Sequence, residues 1–304
     1  MLTIEEAVAR VPQWGRAAGV SAAPLPGGIT NVTYRVEVSG ESFVVHLAGG
    51  RTDLLGIDRD RAYRCARAAG QAGVGPAVVY ASPADGILVT RFVPGRCLTA
   101  ADLARPETLG RVVRSLQRCH ALPFPGQFSP FRTVEEYLRV ARRHGAPLPD
   151  DIDRVTAEIM AIESAIAPGR TAARSCHNDL WSPNLLDDGD QVRVIDWDYA
   201  GLGDVYFDLA NLAMHHRFTD VQDEALLRAY LGTASAAGLA RLRVLRIVAE
   251  MREAMWAMVA LNLDLPVQSG FDCLEYAGTH FDRCRRAMAD PRLADWLDRA
   301  ATHA

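Results

Sequence analysis

An α+β protein in two lobes is expected from three observations. Strand-period segments crowd residues 22–92, helix-period segments dominate from residue 108 onward, and Val93-Pro94-Gly95 breaks the chain between them. The expected units are a small mixed β-sheet lobe over residues 1–93 and a larger, mostly helical lobe over residues 94–304, with a hinge near Arg91–Gly95.

Taken in order, Thr3–Ala18 has the spacing of a short amphipathic helix, and residues 22–48 read as strands. Thr33–Val38 and Phe43–Leu47 alternate about the Ser39-Gly40-Glu41 turn, which predicts a hairpin. Asp58–Ala72 repeats at helical spacing and stops at Gly73. Val78–Ser82 and Ile87–Phe92 are two further strands joined through Pro83-Ala84-Asp85-Gly86. Helices are then predicted over Thr108–His120, Thr133–His144 and Asp151–Ile166. Beyond Phe207 they follow over Val221–Leu231, Leu239–Leu263, Leu274–Ala289 and Leu293–Ala301. No repeat or low-complexity tract interrupts them.

The 304 residues are 49% apolar and 23% charged, an ordinary globular balance. A formal charge of -4 argues against a partner bound by neutralising many phosphates, so no nucleic acid is expected and small-molecule chemistry is favoured. The six cysteines show neither a Cys-x-x-Cys pair nor zinc-ligand spacing and read as free thiols. The first eleven residues carry Glu5 and Glu6 and no basic-then-apolar pattern, and Met255–Leu265 is too short to span a bilayer. No membrane partner and a cytoplasmic location are therefore expected. All 33 basic residues are arginine; the chain has no lysine.

The chemistry concentrates between His177 and Asp196, where His177-Asn178-Asp179 is followed by Asn184, a turn at Asp187–Asp190, and the apolar run Val192–Ile195 ending in Asp196. An Asp followed five residues later by an Asn is the spacing of a phosphotransfer loop, in which the Asp takes the proton of an acceptor hydroxyl and the Asn holds magnesium. Here Asp179 is the expected base, and Asn184 with Asp196 the expected Mg2+ ligands. Leu185-Leu186 and Val192–Ile195 should pair as a hairpin that folds Asp196 back beside Asn184. His177 is expected to support the loop by hydrogen bonds, and Asp204 and Asp208 to cap the helix that follows.

These segments, with Gly27-Gly28-Ile29-Thr30-Asn31 near the start, Ile195-Asp196-Trp197-Asp198-Tyr199, Phe207-Asp208-Leu209-Ala210-Asn211 and Phe271-Asp272-Cys273-Leu274-Glu275-Tyr276, resemble the choline and ethanolamine kinase family of the aminoglycoside phosphotransferase-like superfamily. The resemblance implies a protein-kinase-like fold, ATP and Mg2+ as cofactors, and a small-molecule alcohol or amino alcohol as acceptor. It implies that Gly28, Thr30 and Asn31 lie around the ATP phosphates and that Arg91–Val93 offers hinge backbone groups to adenine. Asp198 is a candidate for facing a substrate cation. Trp256, Phe271, Tyr276 and Phe281 are candidates for an aromatic wall that binds such a cation by cation-π attraction, worth about 0.5 to 2 kcal/mol each. The assembly is left open between a monomer and a homodimer.

One departure stands out. Kinase-type folds place a cation on the third strand of the small lobe, paired with a helix carboxylate. Here the strand position is His46 and the helix position Ala62, and without lysine only His46 or an arginine, with Arg51 the candidate, can serve. The other readings are a kinase for thiamine or an aminoglycoside, a nucleotide-binding protein without catalysis, and a metal-dependent phosphohydrolase.

Overall fold

The computed structural model describes residues 2–14, 19–26, 29–169, 171–262 and 271–302. Five strands form the first sheet: β1 (Val20–Leu25), β2 (Asn31–Val38), β3 (Glu41–Ala48), β4 (Val78–Ser82) and β5 (Ile87–Arg91). Their order is β1-β2-β3-β5-β4, antiparallel at every pairing, so the lobe is mixed only through its helices. Ser39 and Gly40 both take positive φ, 52° and 83°, the backbone a two-residue hairpin needs to match strand twist.

The pleat of β3 then sorts its side chains. Phe43, Val45 and Leu47 bury against Val36, Val38, Ile87 and Val89, while Val44, His46 and Ala48 face the cavity between the lobes. The outer face is closed by α1 (Ile4–Arg10), whose start is set by a Thr3/Glu6 capping box. This helix is shorter than the sequence suggests: Val11 is already extended, and Trp14 packs on Phe43 at 5.1 Å. Residues 15–18 lie outside the described residues.

Asp58 caps α2 (Arg59–Gln71) by accepting from the Arg61 N–H, and the chain leaves through Gly73 at φ +65°. Cys65, Ala66 and Ala69 of α2 join the large core with Val112, Leu116 and Val194, so this helix couples the two lobes although its sequence position is in the first.

The second lobe contains α3 (Ala100–Leu103), α4 (Pro106–Cys119), α5 (Pro130–Arg143), α6 (Ile152–Ile166), α7 (Val205–His215), α8 (Asp220–Leu231), α9 (Ala236–Ala260), α10 (Cys273–Met288) and α11 (Leu293–Ala300). Only α3 was invisible to periodicity, since four residues make one turn; its signal is the Thr99/Asp102 capping box. The short strands β6 (Arg96–Cys97), β8 (Leu185–Asp187) and β9 (Val192–Val194) form a sheet in that order, and β7 (Arg174–Cys176) pairs with β10 (Gly201–Gly203). At the centre runs α9, buried on nearly every side, which is why its hydrophobic pattern shows no stripe. Among the described residues no helix is long and apolar enough to cross a membrane.

Candidate active site

The lobes enclose a cavity of about 450 Å³ lined by His46 and Arg59 from one side and Asp179, Asn184, Asp196 and Glu253 from the other. Its floor is the loop after β7. Asn178 takes a left-handed backbone at φ 67°, a conformation that needs support in a non-glycine residue. Support comes from α7: the buried Asp208 carboxylate accepts from the His177 N–H (2.8 Å), the Asn178 N–H and His120 Nε2 (2.9 Å), and Asn211 Oδ1 accepts from the Leu180 N–H. Asp204 caps α7 as expected, accepting from the Tyr206 N–H, but Asp208 serves the loop and not its own helix.

His177 acts through both ring nitrogens. Nδ1 accepts from the Asp179 N–H (3.2 Å) and Nε2 donates to the Ile195 carbonyl (3.0 Å), which ties the loop to the end of β9. Burial holds this imidazole below its ordinary pKa, consistent with a neutral, structural ring.

The hairpin forms in the expected register, Leu185 opposite Val194, and the Ile195 N–H donates to the Asn184 carbonyl at 3.0 Å. Asn184 Nδ2 is spent on the Asp179 carbonyl (2.9 Å), so its Oδ1 is the end left without a donor among the described residues. Asp196, at φ 64°, opens into the cavity. Enclosure by protein, and then the nearby charges of Asp198 and Asp179, push its carboxyl well above the usual range. An amide oxygen and a carboxylate short of positive charge are the hard donors that suit Mg2+, so the residues present fit that ion.

Asp179 Oδ1 accepts from Arg252 Nη1 at 3.1 Å, and the same Nη1 donates to Glu253 Oε1. The Arg252 guanidinium lies 4.3 Å over the Tyr199 ring. Burial alone would raise Glu253, but Arg252 and His215 outweigh it and hold this carboxyl well below its usual range. Tyr276 donates its hydroxyl to Glu253 Oε2 (2.9 Å), and Trp256 Nε1 donates to the Tyr199 hydroxyl (3.1 Å). Trp256, Phe271 and Tyr276 form one aromatic corner, with ring centroids 4.9 to 6.2 Å apart. Phe281 is not part of it and packs in the core.

On the opposite wall, Thr30 and Asn31 line the cavity, while Gly28 lies outside the described residues. His46 faces the cavity, and burial lowers its pKa to about 4. Arg51 points elsewhere, donating to the Asn262 carbonyl (3.0 Å). At the hinge, the N–H groups of Arg91 and Phe92 are taken by the Ala77 and Ser42 carbonyls, leaving Val93 as the expected hinge residue whose N–H has no protein acceptor among the described residues.

Asp198 does not stand free for a substrate cation. Both its oxygens receive Arg59 Nη1 (2.7 and 2.8 Å), and Oδ2 also receives Asn31 Nδ2 (3.1 Å). Arg59 Nη2 donates to Asn31 Oδ1 (3.1 Å) and Thr52 Oγ1 (3.0 Å). Sequence reasoning passed over Arg59, Arg252 and Glu253. The first lies one helical turn before Ala62, and the other two are adjacent charges flanked by the apolar run Ala254–Ala260, a position where charges are buried only when paired.

Residues 21–245 match the family model described as "Phosphotransferase enzyme family". A choline/ethanolamine kinase family protein from Mesorhizobium loti is similar in structure, with a TM-score of 0.81, 29% identity, and coverage of 97% of this chain and 96% of that one. Protein LicA of Haemophilus influenzae is 28% identical over 210 residues, which span 67% of this chain and 61% of LicA's length. Ethanolamine kinase 2 of Mus musculus is 24% identical over 300 residues, covering 90% of this chain and 77% of that protein.

Proposed function

The chain belongs to the phosphotransferase enzyme family and has its protein-kinase-like fold, and from that premise we propose that it transfers phosphate from ATP to the hydroxyl of choline or a related amino alcohol. The observation that carries the acceptor class is the meeting of the base and the aromatic corner in one cavity: Arg252 and Glu253 link Asp179 to Tyr276, beside Trp256 and Phe271. Aromatic faces suit an alkylammonium group. Asp179 lines the same cavity, where the hydroxyl of such an amino alcohol would meet it.

In this reading Asp179 orients the acceptor hydroxyl and takes its proton as the new P–O bond forms and the bond to the leaving ADP breaks. Arg252 fixes the rotamer of Asp179. His177 and Asp208 hold the loop, and neither touches the reacting atoms. Asn184 and Asp196 would hold Mg2+, which when bound supplies charge neutralisation for the phosphates. Thr30 and Asn31 would meet the phosphates, and the Val93 N–H the adenine.

The test is magnesium-dependent ADP formation with choline, ethanolamine, thiamine and an aminoglycoside in parallel, and Asp179→Asn as control. Turnover with choline or ethanolamine that drops about a hundred- to ten-thousandfold in the variant is expected. Turnover with thiamine or the aminoglycoside alone would replace the acceptor and keep the reaction. ATP binding with no acceptor-dependent ADP would remove the catalytic reading.

A further inference from the structure

We propose that Arg59, on the first turn of α2, binds the nucleotide phosphates in place of the missing strand cation, with Asp198 as its carboxylate partner; this rests on the nucleotide reading above. A triphosphate in this cavity needs a cation on the small-lobe side. His46 stands at the strand position, but its ring is neutral at pH 7 because burial lowers its pKa to about 4. Among the described residues three arginines line the cavity. Arg91 pairs with Glu41 and lies over the Phe43 ring (4.9 Å) at the hinge, and Arg252 is held between Asp179 and Glu253 on the other lobe. Arg59 remains.

Its position fits the role. Nη2 donates to Asn31, in the turn expected over the phosphates, and Nη1 reaches Asp198, two residues beyond Asp196. The guanidinium therefore lies between the phosphate turn and the metal carboxylate. Its Nε is buried and has no partner among the described residues. Ala62, three residues on and on the same helical face, also lines the cavity. A carboxylate there would compete for Arg59, and the chain has alanine. The usual pair is thus turned around: the cation comes from the helix and the carboxylate from the loop after the metal strand. A guanidinium also suits a phosphate, since its planar fork donates to two oxygens at once; here Nη1 and Nη2 would share their N–H groups between the phosphate and their present partners Asp198, Asn31 and Thr52.

Calorimetric titration of MgATP and of adenosine into wild type, R59A, R59K and H46A, with thermal melts in parallel, tests this. The R59A protein should bind MgATP at least roughly tenfold more weakly while adenosine affinity stays within about twofold, and R59K should fall between R59A and wild type. H46A should leave the ratio of the two affinities unchanged. If R59A does not fold, a selective MgATP loss in R59K decides in favour. Equal losses for MgATP and adenosine, no loss, or a selective loss in H46A would overturn the assignment of Arg59 alone. A wild type that binds neither ligand would overturn the nucleotide reading and this inference with it.

Discussion

Arg252 Nη1 lies 3.1 Å from Asp179 Oδ1 and donates at the same time to Glu253 Oε1, so one buried cation serves two carboxylates of the candidate acceptor site. Removing it leaves two negative charges in a desolvated place. Arg252→Met should therefore cost about 3 to 5 kcal/mol in urea unfolding at pH 7, and adding Glu253→Gln should restore part of that loss. A single variant as stable as wild type would show that the pair is effectively solvated.

The Tyr276 hydroxyl donates to Glu253 at 2.9 Å and shares an aromatic corner with Trp256 and Phe271. Tyr276→Phe keeps the ring and loses that bond. Steady-state kinetics should show the acceptor KM rising about two- to tenfold, with the KM for ATP unmoved. Equal changes in both constants would place Tyr276 outside the acceptor pocket.

Enclosure, together with Asp198 and Asp179, raises the Asp196 carboxyl well above its unfolded value. The ionised form is thus disfavoured in the folded protein, so above the unfolded carboxylate range this group opposes folding until a cation arrives. Asp196→Asn should raise the Tm of the metal-free protein at pH 7, and Mg2+ should raise the Tm of wild type but not that of the variant. A variant that melts lower without metal and still responds to Mg2+ would contradict both parts.

His216 accepts from Ser182 of the loop between β7 and β8 through Nε2 and donates Nδ1–H to the Leu212 carbonyl, and burial lowers its pKa from about 6.5 to about 4. The unfolded chain binds this proton first. Stability should be fully present above pH 6.5 and fall as the pH drops from 6.5 to 4, by an amount on the order of 3 kcal/mol from this group. His216→Gln should flatten that limb in a series of melts against pH. An unchanged slope would assign the acid sensitivity to other groups.

The hairpin, the loop from His177 to Asn184 and most helices are legible in the sequence because local physics specifies them. Alternation about Asp187–Asp190 places Asp196 beside Asn184 whatever else the chain does, and the stops at Gly40 and Gly73 are positions of positive φ. The elements that escaped notice are the shortest. One-turn α3, the two-residue strand β6 and the three-residue strands β7 and β10 have no period to detect, and pairing between residues 174–176 and 201–203 is a long-range event.

At the candidate site, Asp179, Asn184 and Asp196 lie in one stretch of chain, but their partners do not. Arg59 meets Asp198 across 139 positions, and Arg252 meets Asp179 across 73. Spacing along a chain carries no information about such pairs until the lobes pack. The linear order of residues therefore decided the two-lobed architecture, the phosphotransfer loop and the loss of cation and carboxylate at His46 and Ala62. Which arginine faces the phosphate side, where Asp198 points, and that Glu253 joins the aromatic corner were decided by tertiary packing, because burying a charge requires a partner and folding chooses that partner from the whole chain.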